Sequence, residues 1–89
     1  MVMNPNEQLT LAEMRTGQTG TVVGVAGGHG FARRLDALGI RPGQRVTKLS
    51  AALFRGPIIV KVGSAQLAIG FGMARRIVVE LNRHLPRAS

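Results

Sequence analysis

The chain has 89 residues, 45% of them hydrophobic and 18% charged, with no cysteine and a net charge of +8. That length makes one domain, which buries roughly 60–65% of the surface its unfolded chain exposes, and the apolar share suffices for one compact core. The lack of cysteine excludes a disulfide framework and a thiolate metal site, and no apolar run approaches the roughly 20 residues of a bilayer-spanning helix.

Met1 to Gln8 is polar, without the basic and apolar regions of a secretory signal. A flexible N-terminus over 1–8 and a cytoplasmic location are therefore expected. Thr10 and Glu13 have the spacing of a capping box, which predicts a single helical turn beginning at Thr10. Gly20 to Ala26 is β-branched and reads as a strand. The loop Gly27-Gly28-His29-Gly30 separates it from a short helix over about 31–38, where Phe31, Leu35 and Leu38 fall at i, i+4 and i+7 on one face.

Gly39 supplies a left-handed residue that stops this helix, and Ile40 can fold back onto Leu35, the contact that accompanies a Schellman ending. Pro42 and Gly43 then turn the chain. Arg45 to Leu49 reads as a second long strand, and Gly56-Pro57 marks a turn. Ile58–Val62 and Ala65–Ile69, joined by Gly63-Ser64 alone, form the clearest hairpin. Gly70 to Arg76 breaks the strand pattern around one helical turn. Ile77 to Leu81 is the last strand, with Ile77, Val79 and Leu81 on one side. The basic tail 82–89 is expected to be loosely attached.

Short strands at this spacing define a mostly β fold, a small barrel of about five to six strands with one inserted helix. Ten of the twelve basic residues are arginine. Such a balance favours nucleic acid, anionic lipid or an acidic protein face, or else reflects a solvated surface. Three phenylalanines without tyrosine or tryptophan argue against base stacking and against a proline-rich peptide groove, while phosphate contact through arginine stays open.

If Phe31, Leu35 and Leu38 face inward, Arg33 and Arg34 point outward. There they can grip carboxylates of an acidic partner, stay solvated, or pair with Asp36 for ~0–1 kcal/mol. His29 offers an imidazole suited to first-row divalent metals. Its potential co-ligands, His84, Glu7, Glu13, Asp36 and Glu80, show no metal-motif spacing, so an ordinary loop histidine is the simpler expectation unless a metal is shared between subunits. Phe54 and Phe71 lie in turns and either cap an open end of the barrel or contribute to a partner-binding patch. The glycines match neither phosphate-loop fingerprint. No nucleophile–base pair or paired carboxylates appear, so no enzymatic activity is expected.

The order Leu11-Ala12-Glu13-Met14-x-x-Gly17, Gly20-x-Val22 and Arg33-Arg34-Leu35-x-x-Leu38-Gly39-Ile40-x-Pro42-Gly43 resembles the FeoA family. Val46, Gly56-Pro57-Ile58, Gly63, Leu67-Ala68-Ile69, Ala74 and Ile77-Val78-Val79 extend the likeness from Leu9 to Leu81. The segment Gly70-Phe71-Gly72-Met73 departs from it, since family members commonly carry polar or charged residues there.

The resemblance implies an SH3-like barrel over 9–81 and an accessory role in ferrous iron uptake through the cytoplasmic part of a FeoB-like transporter. It implies no required cofactor, with weak Fe(II) or Zn(II) binding at His29 as a side possibility, and leaves a homo-oligomer open. The same domain also occurs at the C-terminus of metal-dependent repressors. With no winged-helix segment ahead of Leu9, the free-standing form is expected. A basic regulatory module that binds nucleic acid is the alternative.

Overall fold

A computed structural model of the protein describes residues 6–82. The expected tail 83–89, with His84, and the first five residues lie outside that range. Six strands form one antiparallel sheet: β1 (Asn6–Thr10), β2 (Thr19–Val25), β3 (Arg45–Ala51), β4 (Ile58–Val62), β5 (Ala65–Ile69) and β6 (Ile77–Asn82), in the order β1-β6-β2-β3-β4-β5. Helix α1 (His29–Ala37) is inserted after β2, and the one-turn helix α2 (Phe71–Ala74) bridges β5 and β6.

The architecture is the mostly β, SH3-like arrangement expected. Its hydrogen-bond ladder ends at β1 and β5, which do not pair with each other among the described residues. Register shifts between Val22 and Gly24 on β2 and between Lys48 and Ser50 on β3 are irregularities of the kind that bend strands.

Period-2 alternation builds the core. Gly20 and Val22 on β2, Val46 on β3, Ile58, Val60 and Val62 on β4, and Ile77, Val79 and Leu81 on β6 are all buried. Gly20 is required for packing rather than for its φ. A Cβ there would meet the Glu80 carbonyl oxygen at 3.1 Å and Leu81 Cδ2 at 3.2 Å.

The Thr10 capping box forms as expected around a single 3-10 turn at Leu11–Glu13. Glu13 N–H donates to Thr10 Oγ1 at 3.2 Å, and Thr10 N–H donates to Glu13 Oε1 at 2.8 Å. The hairpin at Gly63-Ser64 has the expected bounds, and Gly63 takes φ +62 as a primed turn requires.

Three expectations are corrected. Asn6, Glu7 and Gln8 are not a frayed end but part of strand β1, paired with β6 at Asn82, Leu81 and Glu80. Their polar sequence suits an edge strand, whose outer side faces water. Helix α1 starts two residues before Phe31, because Gly28 in extended backbone serves as its N-cap and its carbonyl accepts from Ala32 N–H at 3.1 Å.

The third correction concerns Leu38, which is 43% exposed rather than buried. The Schellman ending explains this. Ile40 N–H donates to the Leu35 carbonyl and Gly39 N–H to that of Asp36, both at 2.9 Å, with Gly39 at φ +90. The reversal returns Ile40 to the core beside Leu35, so Ile40 takes the buried place the spacing assigns to Leu38.

Candidate functional site

Helix α1 is held to the sheet through Leu35, which is fully buried, and in part through Phe31. The Arg76 guanidinium lies over the Phe31 ring, 5.4 Å from its centroid, an attraction of ~0.5–1 kcal/mol at an exposed site. At about 100° per residue, Leu35 facing inward puts Arg33 on the far side of the helix and Arg34 on its flank. Both are exposed, as expected. Asp36 pairs with neither of them; its Oδ1 lies 3.4 Å from Arg41 Nε beyond the turn. Arg33 and Arg34 therefore have no ion-pair partner among the described residues.

Beside the helix is an open cleft of about 330 Å³. Val25, Ile40 and Pro42 supply an apolar floor, and His29, Arg33, Asp36 and Arg41 stand around it. His29, Arg33 and Asp36 share this wall because they are spaced four and three residues apart on one helix. A hollow of about 260 Å³ at Gly27 and Gly28 shares Val25, His29 and Ala32 with it. The arrangement can receive an apolar side chain while offering cations to an acidic group nearby, which is the chemistry of a binding surface.

Phe54 and Phe71 lie apart from this cleft. Phe54, at the tip of the β3–β4 loop, is 97% exposed and caps nothing. Phe71 is half-buried in α2 and packs against the core, with the Arg55 guanidinium 5.6 Å from its ring centroid. The two phenylalanines thus do different things, because Phe71 begins a helix turned onto the sheet whereas Phe54 sits in a two-residue left-handed tip. His29 opens α1 as an exposed residue. Among the described residues, no group of three or more His, Cys, Asp or Glu is placed to hold a metal ion.

Two features escape the sequence reading. One is the Asp36–Arg41 pair across the Gly39 helix ending. The other is Lys48, buried at 4% exposure, whose Nζ donates to the carbonyls of Leu11 at 3.3 Å, Ala12 at 3.1 Å and Met14. Burial lowers the Lys48 pKa from its usual 10.5. The signal was in the alternation, since Val46 and Lys48 share one face of β3 and a lysine stands there among inward positions.

The fold and these surfaces define a small SH3-like β domain with a basic helix beside an apolar cleft. The sequence matches the FeoA domain over residues 9–81, and the chain belongs to the FeoA family. A crystal structure of the iron uptake regulatory protein FeoA is 38% identical, with a TM-score of 0.76 over 84% of this chain and 99% of that one. FeoA of Stenotrophomonas maltophilia complexed with zinc is 27% identical, with a TM-score of 0.69 over 85% of this chain and 99% of its own. It is described as an SH3 domain protein and a suggested ferrous iron transport activating factor.

A manganese-dependent transcriptional repressor is 30% identical, with a TM-score of 0.77 over 90% of this chain and 44% of that protein. Among curated protein sequences no relative matches. The FeoA assignment places the chain among accessory domains of ferrous iron transport. No helix among the described residues is long and apolar enough to cross a membrane.

Proposed function

We propose that this protein assists ferrous iron uptake by docking α1 and its cleft on an acidic surface of the cytoplasmic part of a FeoB-like transporter. It adjusts transport by contact rather than by carrying iron, and no cofactor enters the reading. The observation that carries it is the pair of exposed, unpaired arginines Arg33 and Arg34 on a helix beside an apolar cleft. Guanidinium groups free of internal partners can grip carboxylates bidentately without first breaking an ion pair.

Calorimetric titration with the soluble cytoplasmic domain of the transporter tests this. Saturable binding is expected, weakened by salt, and Arg33→Glu/Arg34→Glu should reduce it at least about a hundredfold with the fold intact. Unchanged affinity of the double variant overturns the assignment.

A second reading, weak Fe(II) or Zn(II) binding at His29, draws support from the zinc complex of the Stenotrophomonas maltophilia protein and from His29 and Asp36 sharing the cleft. It requires affinity that His29→Ala lowers. Identical metal titrations for both proteins would sink it.

A further inference from the structure

The two most exposed large apolar side chains among the described residues lie together at the tip of the β3–β4 loop. Leu53 is 80% exposed and Phe54 97%, so both project almost free of their own domain. The tip is a defined turn. Gly56 N–H donates to the Leu53 carbonyl at 3.2 Å, and Ala52 N–H donates to the Pro57 carbonyl at 3.1 Å. Phe54 and Arg55 take φ +58 and +61, left-handed values that neither side chain favours.

Arg55 over the Phe71 ring ties this tip to α2. Ile69 pairs with Ile58, so the β3–β4 loop and α2 emerge at the same end of the sheet. Segments 51–57 and 70–75 carry Arg55 and Arg75 and no Asp or Glu. Both arginines are exposed, and Arg75 stands one helical turn from Phe71.

We propose that this end of the molecule seats on an anionic lipid bilayer, with Leu53 and Phe54 inserted at the boundary between headgroups and acyl chains and Arg55 and Arg75 against the headgroup phosphates. Shape favours a bilayer over a protein. The tip is convex, and hydrocarbon receives a projecting side chain without a matching pocket. Charge favours it too, because cations of one sign around an apolar projection suit a surface that is anionic throughout. The turn already has its shape, so insertion orders little additional chain. The contact is direct and does not rest on the transporter reading, which concerns α1. One pair of side chains gives a reversible attachment, strengthened by the net charge of +8.

The chain has no tryptophan, so Phe54→Trp places a single fluorophore at the tip. The probe is a phosphatidylcholine vesicle with roughly a third phosphatidylglycerol, against phosphatidylcholine alone. Blue-shifted emission is expected with the anionic vesicle, together with quenching by acyl-chain bromines and weakening in salt. Leu53→Ser/Phe54→Ser should cut vesicle co-sedimentation about tenfold with an unchanged thermal melt.

Emission that stays unshifted on anionic vesicles overturns the proposal. So does full binding by the double serine variant, which would mean that the arginines adsorb without insertion. A shift seen only on adding the transporter's soluble domain, with no vesicle present, would make a protein the occupant and equally overturn it. Because vesicles contain no protein, failure here leaves the α1 reading standing, and failure of the α1 variant leaves this one standing.

Discussion

The connection from α1 to β3 and the loop from β3 to β4 both send the chain through left-handed backbone, with opposite choices of residue. The first uses Gly39 at φ +90 and Gly43 at φ +94. It returns Ile40 to the core, and its amides find carbonyl partners. The second uses Phe54 and Arg55, each at a cost of roughly 1–2 kcal/mol relative to ordinary backbone. Where only the turn is needed, glycine is present. Where Phe54 and Arg55 hold the same backbone, the strain persists, and strain of this kind clusters at functional surfaces.

Leu35→Ala attacks the first connection at its root. It removes the buried side chain that docks α1 while the residue 35 carbonyl of the Schellman bond stays, and about 2–5 kcal/mol of stability should go with it. Urea unfolding reads this directly, and a loss below about 1 kcal/mol would show that α1 is not anchored there.

Lys48→Met comes next, extending the comparison to a turn held by a side chain. It leaves the Ala12 and Met14 carbonyls without the ammonium, for a loss of about 1–3 kcal/mol. The pH dependence has a definite sign. With its folded pKa lowered, Lys48 releases its proton in the native state first, so the unfolded chain binds more protons between that pKa and 10.5. Stability contributed by this group therefore rises with pH across that window, and the Met variant should lack the rise. Cysteine and tyrosine are absent and cannot mask it.

The smallest effects separate the two turns most cleanly. Gly39→Ala should cost about 1 kcal/mol from backbone alone, since its Cβ would come no closer than 3.8 Å to Val62 Cγ1. Arg55→Gly should change stability by less than about 0.5 kcal/mol, because relief of the left-handed residue offsets the added freedom of the unfolded chain. Thermal melts of the pair, run together, check the contrast. A large loss for Arg55→Gly would mean that its contact with Phe71 holds the loop.

What the sequence made legible was local. The Thr10 capping box, the Gly63-Ser64 hairpin and the Schellman ending each depend on residues within a few positions of one another, and each is present. The failures were of long range or of competition. Strand β1 has a polar sequence and a partner some 70 residues away. Leu38 fits the helical period, but Ile40 took the inward place. Lys48 reaches carbonyls 34 to 37 residues back in the chain. At the candidate site, the exposure of Arg33 and Arg34 followed from helical geometry. The cleft beside Arg33 needed Val25 of β2 brought against Ile40 and Pro42 of the connection after α1.

Strand β6 lies between β1 and β2, which sets a timetable for the newborn chain. At about 5–20 residues per second, the ribosome delivers residues 77–82 several seconds or more after residues 6–10 have emerged. The hairpin of β4 and β5 can close within about 1–10 μs of its own completion. The first strand, by contrast, must wait for the last, and until then its N–H and C=O groups face only water.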